Sequence, residues 1–194
     1  MISIVFASAN PNKIAEVAKK IKHTSIRIIG LTDINCTEAL PETADTILEN
    51  AWQKANYLKE NYDYDCFSED TGLEIDFLNG KPGVHTAHYA GAARNPEANM
   101  NLVLSELANV TTRTARFRTI IALIYKGEKH TFEGICEGKI ATEKTGGKGF
   151  GYDPIFIPTG YTQTFAELSS EIKNTISHRA KAVEQLIAFL QKQI

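Results

Sequence analysis

The sequence predicts a mixed α/β layer fold, and three observations carry that prediction. Short apolar β-type runs alternate with helical stripes along the chain, the strand-to-helix junctions carry capping residues, and two long β-type runs flank a glycine turn. Ile2–Ala7 reads as a buried strand. Asn10 follows as an N-cap and Pro11 as the first helical residue, with Ile14, Val17, Ala18 and Ile21 at helical spacing behind them. Ile26–Ile29 reads as a second strand, and residues 30–45 as loop. Thr46 and Glu49 have capping-box spacing ahead of a stripe of Ile47, Leu48, Ala51, Trp52, Ala55 and Leu58.

Asp65–Ser68 and Leu73–Leu78 read as strands on either side of the polar tetrad Glu69-Asp70-Thr71-Gly72, and Gly80–Gly83 as a turn. Asn95-Pro96 opens another helix, with Ala98, Leu102, Val103 and Leu107 inward. Phe117–Tyr125 and His130–Ala141 are β-type runs around a hairpin at Lys126-Gly127-Glu128. Ser177 can cap the last helix, whose inward face is Ala180, Val183, Leu186, Ile187 and Leu190. No repeat or linker interrupts this order, so residues 1–194 read as a single domain.

Composition narrows the function. The 194 residues are 43% hydrophobic and 23% charged, ordinary for a globular protein. Twenty-one Lys and Arg face 23 Asp and Glu, a net charge of -2, so the basic surplus of a nucleic-acid binder is missing. No apolar run approaches the roughly 20 residues that span a bilayer. The opening residues lack the charged and apolar regions of a secretory signal. Cys36, Cys66 and Cys136 are an odd count with no CxxC spacing, which points to free thiols in a reducing cytoplasm.

Four segments carry candidate chemistry. Ser8-Ala9-Asn10-Pro11-Asn12-Lys13 joins a strand to a helix N-terminus, where backbone N–H groups, the helix dipole and the Lys13 charge suit a phosphate. No GxxxxGK[ST] loop occurs, so this is not a Walker A site. Glu42, Glu69 and Asp70 offer carboxylates for magnesium or for orienting a water. Gly146–Phe156 interleaves glycines with aromatics, so that Phe150 or Tyr152 can stack on a base and Asp153 can accept from a ring N–H. Lys173 and Ser177-His178-Arg179 place cations at the start of the last helix, against its dipole, which an anion or a base-recognition role would explain. No GxSxG, HExxH or Rossmann GxGxxG context is present.

Together, and in this order, these segments resemble the inosine triphosphate pyrophosphatase family, the XTP/dITP diphosphatases. The resemblance runs from Phe6 to about Ala182. It rests on Ser8-x-Asn10-x-x-Lys13, Leu40-Pro41-Glu42, Glu49-Asn50-Ala51 with Lys54-Ala55, Glu69-Asp70-Thr71-Gly72-Leu73, Pro82-Gly83, Gly149–Phe156, Ala166-Glu167-Leu168, Lys173 and Ile176–Arg179. It implies an elongated α/β fold with a mixed sheet and two lobes around a nucleotide-binding cleft, usually as a homodimer. It implies hydrolysis of ITP, dITP and XTP to the monophosphate and pyrophosphate.

By the same resemblance, Ser8, Ala9, Asn10, Pro11, Asn12 and Lys13 hold the triphosphate, and Lys54 approaches it. Glu42 and Asp70 bind Mg2+, Asp70 is the proton acceptor, and Thr71 touches substrate. Phe150, Gly151, Tyr152, Asp153, Lys173, His178 and Arg179 surround the nucleotide. Ala9 stands where glycine is common, Thr71 where serine is, and His88 where arginine is. Two readings compete: a Maf-like pyrophosphatase for modified pyrimidines, and a nucleotide-binding regulator without turnover. The Phe150–Asp153 and Ser177–Arg179 motifs oppose the first, and intact Lys13, Glu42 and Asp70 oppose the second.

Overall fold

The computed structural model describes residues 1–22 and 24–193. Its elements are strands β1 (Ile2–Phe6), β2 (Ile26–Ile29), β3 (Cys66–Ile75), β4 (Pro82–Gly83), β5 (Thr114–Tyr125), β6 (Glu128–Ile140) and β7 (Phe156–Pro158). The helices among the described residues are α1 (Pro11–Ile21), α2 (Ile47–Tyr62), α3 (Pro96–Glu106), α4 (Ser170–Ile176) and α5 (His178–Gln191). The strands form one mixed seven-stranded sheet in the order β2-β1-β3-β5-β6-β7, with β4 beside β3. The predicted α/β class is therefore the observed one. The chain divides into two compact units. The first is Met1–Asp70, Thr119–Gly134 and His178–Ile194; the second is Thr71–Arg118 and Ile135–Ser177.

In the first unit, β1 pairs in parallel with β2, Ile2 opposite Ile26, and with β3, Phe6 opposite Phe67. Parallel neighbours need a crossover, which α1 and α2 supply. Side chains of a strand alternate between faces, and both faces here are apolar. Ile4, Phe6, Phe67, Ile121 and Leu123 pack with Val17 and Ile21 of α1 and Val183, Leu186 and Leu190 of α5. Val5, Ala7, Cys66, Ile120, Ala122 and Ile124 pack with Ile47, Ala51, Ala55 and Leu58 of α2. Burying each large apolar side chain contributes about 1.5–3 kcal/mol, whereas a buried ion pair roughly breaks even. These two faces, not the charges described below, hold the unit together.

The second unit has one core, in which Leu73, Ile75, Met100, Val103, Phe117, Ile140, Phe156 and Phe165 meet. β4 is antiparallel to β3, Leu73 opposite Gly83, and β7 is antiparallel to β6, Ile140 opposite Phe156. The Arg113 guanidinium ties this unit by donating to the carbonyls of Ile140, Leu107 and Ala141 at 2.9, 2.5 and 2.7 Å.

Several sequence expectations are corrected. The tetrad Glu69–Gly72 does not separate two strands, because β3 runs through it without a break to Ile75. Asp76–Leu78, expected as strand, is a 3-10 turn. Gly80–Gly83 ends in the short strand β4, and Thr32–Ile34 in the expected loop is a 3-10 turn. Ile14, Ala18, Leu48 and Ala98 face outward, while Asn99 and Met100 take the inward positions of α3. A hydrophobic stripe marks a face, and its edge residues stay in water when no element covers them.

Candidate active site

The turn after β1 is built by Asn10. Its backbone is extended, and its side-chain oxygen accepts from the N–H groups of Asn12 at 3.0 Å and Lys13 at 3.3 Å. Pro11 then opens the helix at a position that needs no N–H. Asn10 N–H donates to Ser8 Oγ at 3.3 Å, closing the turn on itself. Ala9 is exposed and is not among the residues with positive φ, so alanine sits there without strain. Two donors that a phosphate could use are thus held by the cap, and Lys13 points from the first turn of α1.

β3 distributes its two consecutive carboxylates by the same alternation that sorts its apolar residues. Glu69 follows the parity of Phe67 and meets α1 and α5. Its two carboxylate oxygens lie 2.9 and 2.8 Å from Arg179 Nε, and Lys13 Nζ is 3.1 Å from Oε1. Arg179 Nη1 also donates to Glu16 at 2.6 Å. Glu69 is 1% and Arg179 2% exposed. Burial disfavours the Glu69 anion, but the charges of Arg179 and Lys13 and their hydrogen bonds outweigh it and hold the carboxyl at about 2. Burial lowers the Lys13 ammonium, against the pull of Glu69.

Asp70 has the opposite parity and meets α2. Lys54 Nζ donates to Asp70 at 3.2 Å, to Glu42 at 2.6 Å and to the Glu69 carbonyl at 2.7 Å. Burial raises the Asp70 carboxyl despite Lys54 and Lys13, and Glu42 adds to the rise. Lys54 itself is lowered by burial, but Asp70 and Glu42 more than restore it, so the ammonium is held charged. The loop bearing Glu42 is fastened to α2 by side chains. Thr43 N–H donates to Gln53 at 2.8 Å, Ala44 N–H to Asn50 at 2.9 Å, and Tyr57 and Tyr62 both donate to Glu38, at 3.0 and 2.7 Å.

Among the described residues no group of three or more His, Cys, Asp or Glu is arranged to hold a metal. Glu42 and Asp70 nevertheless converge on one cation, the Lys54 ammonium. Two hard carboxylates are the donor set that Mg2+ accepts when water and substrate phosphates complete its shell. The residues present fit that ion.

The last helix begins within the first unit, and β6 makes room for it. A Cβ on Gly134 would stand 1.9 Å from the His178 carbonyl oxygen and 2.6 Å from Ala182 N, so only glycine permits this approach. His178 is buried there with Arg179.

In the second unit, Asp153 opens a 3-10 turn and is buried. Its carboxylate accepts from Phe150 N–H at 2.8 Å and from Lys173 Nζ at 2.6 Å. Lys173 lies 4.8 Å from the centre of the half-buried Phe150 ring, a cation–π contact. A Cβ on Gly149, at φ +78, would lie 2.0 Å from Asp153 Oδ2, so that position too demands glycine. Tyr152 is a core residue, its hydroxyl donating to the Thr86 carbonyl at 2.8 Å, whereas Phe150 is only half-buried. Gly151 is half-buried in the same turn. Thr71 is half-buried in β3, directly after Asp70. His88, in the turn after β4, has Nε2 3.2 Å from His85 Nδ1.

A profile of the Ham1 family matches residues 4–189, from the middle of β1 almost to the end of α5. The chain belongs to the Ham1 family. It is 54% identical over 189 residues to a dITP/XTP pyrophosphatase of Flavobacterium johnsoniae, covering 97% of this chain and 98% of that one. The Ham1 protein of Staphylococcus aureus superposes with a TM-score of 0.90 at 37% identity, covering 99% of this chain and 100% of that one. A HAM1 protein from Coxiella burnetii gives 0.91 at 36% identity over the same shares. The resemblance read from the motifs is thus a membership. Within this Ham1 chain, sequence reasoning grouped Glu69 with Glu42 and Asp70 as a carboxylate for metal or water, without separating its role from that of Asp70, and did not single out Glu16. Strand parity was the signal that could have separated Glu69 from Asp70, and nothing in the sequence links Glu16 to Arg179.

Proposed function

We infer that this chain hydrolyses XTP, dITP and ITP to the nucleoside monophosphate and pyrophosphate, removing deaminated purines from the nucleotide pool. The observation that carries the reading is the end-to-end match to a dITP/XTP pyrophosphatase, 54% identical over 189 residues. The site chemistry supports it. Ser8–Lys13 receives the triphosphate, with the Lys13 ammonium and N–H groups now held by Asn10 as donors. Lys54 steadies Glu42 and Asp70 and offers its own charge to the phosphates.

Glu42 and Asp70 would hold Mg2+, which supplies positive charge to the phosphate oxygens and to a developing negative charge. Asp70 takes a proton from the attacking water, a task suited to a carboxyl raised by burial. The water oxygen bonds to the α-phosphorus, the bond to the α–β bridging oxygen breaks, and pyrophosphate leaves. Glu69 is not the base, because both its oxygens are held by Arg179. Phe150 is assigned to stacking on the base, and the Asp153–Lys173 pair to its polar edge. Selectivity for a 6-keto purine follows from fixed donors, since the wrong base would leave them unpaired.

The chain acts in the cytoplasm as a homodimer, without nucleic-acid or membrane partners. Three buried free thiols support a reducing compartment, and no described helix is long and apolar enough to cross a membrane. The test is incubation with Mg2+ and, separately, ITP, dITP, XTP, ATP, GTP and dTTP, with pyrophosphate and orthophosphate measured. Pyrophosphate mainly from the first three is expected. Pyrophosphate from another base overturns the recognition reading, and orthophosphate alone overturns the cleavage position.

A further inference from the structure

Lys13 stands on a flexible four-carbon stem, and a lysine by itself is a poor positioning device. The structure removes that freedom. Lys13 Nζ is 3.1 Å from Glu69 Oε1, and its side chain keeps 17% of its surface exposed, whereas the Glu69 side chain keeps 1%. Glu69 is in turn fixed from behind: both its oxygens receive Arg179 Nε, and Arg179 Nη1 is fastened to Glu16, one turn along α1 from Lys13. Buried Glu69 and Arg179 thus brace a cation whose side chain keeps part of its surface exposed. The network joins α1, β3 and α5, three elements that share one apolar face. Glu69 divides its charge between Arg179 and Lys13. Lys13 keeps attraction to spare for an incoming anion.

We propose that Glu69 is a positioning residue for the polyphosphate: braced by Arg179, its carboxylate sets where the Lys13 ammonium stands to receive the substrate's phosphates. The proposal deepens the reading of Ser8–Lys13 as the triphosphate turn and rests on it. It also gives the two adjacent carboxylates of β3 different duties, Asp70 at the metal and the water, Glu69 at the lysine.

A double-mutant cycle tests it on the full chain, with Mg2+ and ITP for kinetics and inorganic tripolyphosphate for calorimetric binding. Glu69→Gln is expected to raise KM for ITP about tenfold with kcat within about threefold, the pattern of lost substrate binding. Tripolyphosphate affinity falls in parallel. Lys13→Ala gives a similar or larger loss, and the double variant is within about twofold of Lys13→Ala, because coupled residues are not additive. A purely structural Glu69 predicts multiplied losses in the double variant, and that result overturns the proposal. So does a folded Glu69→Gln with unchanged KM and tripolyphosphate affinity. If Glu69→Gln does not fold, Glu69→Asp serves in the same cycle, because it keeps the charge but shortens the reach to Lys13; a folded Glu69→Asp with wild-type KM and tripolyphosphate affinity overturns the proposal. A wild-type protein that releases no pyrophosphate defeats the hydrolase reading, while tripolyphosphate binding still reports the coupling of Glu69 to Lys13.

Discussion

Lys173 donates to Asp153 at 2.6 Å, and both side chains are buried. Removing one partner of such a pair leaves the other charge uncompensated. Asp153→Asn is expected to cost roughly 3–5 kcal/mol, the usual penalty for breaking a buried pair. Urea denaturation reads that cost. The same variant should narrow the ratio of kcat/KM for ITP over ATP, because the Lys173 ammonium and the Phe150 turn lose their shared acceptor.

Asp70→Asn keeps the size of the side chain and removes its basicity. Turnover should fall by about 100-fold or more, in the range that general-base catalysis supplies. Far-ultraviolet circular dichroism should be unchanged, with Lys54 still bonded to Glu42. Chelation of divalent ions should stop wild-type turnover and added Mg2+ restore it. Full activity after exhaustive chelation would remove the metal from the mechanism.

Acid should destabilise the protein through Glu69. Its folded carboxyl lies at about 2 against an ordinary 4.5. A depressed folded value contributes stability that is present above the unfolded value and is lost as pH falls toward the folded one. The loss therefore runs from about pH 5 down to about 2, and raised Asp70 opposes part of it. Melting temperatures across that range should fall less steeply in Glu69→Gln than in wild type.

The thiols should be silent in the native state. Burial pushes Cys66 up to about 12 and raises Cys36, and Cys136 is buried as well. The thiolate is the reactive form. At pH 8 a thiol reagent should label none of the three within minutes, and all three after denaturation. Fast labelling of Cys66 in folded protein would contradict its packing under α2.

Gly134→Ala tests how closely α5 must lie on β6. The added methyl would overlap the His178 carbonyl, so the first turn of the helix must shift. Overpacking of this kind costs typically about 1–3 kcal/mol. KM for ITP should rise because His178 and Arg179 move with the turn. A variant with wild-type stability and KM would show that the helix tolerates the shift.

Local signals were legible where one residue decides the outcome. Asn10-Pro11 and Thr46-Glu49 are read directly, since the cap bonds form within three residues: Lys13 N–H to Asn10, and Glu49 N–H to Thr46 at 3.1 Å. The strand through Glu69 and Asp70 was not, because polarity argued for a break while backbone pairing and neighbouring charges overrode it. The partners of those carboxylates were also out of reach. Arg179 lies 110 residues from Glu69, and only the fold brings them together. Tyr152 shows the reverse error of reading chemistry where packing rules: a glycine-rich context suggested a stacking platform, and the ring is core.

The opposite orientations of Glu69 and Asp70 depend on counting. Deleting or inserting one residue in β3 ahead of them would exchange their faces. The base would then meet Arg179, and the bracing carboxylate would meet Lys54. Length changes in this strand are tolerable only in pairs, so insertions and deletions in functional variants should collect in the connections around it and spare Cys66–Asp70.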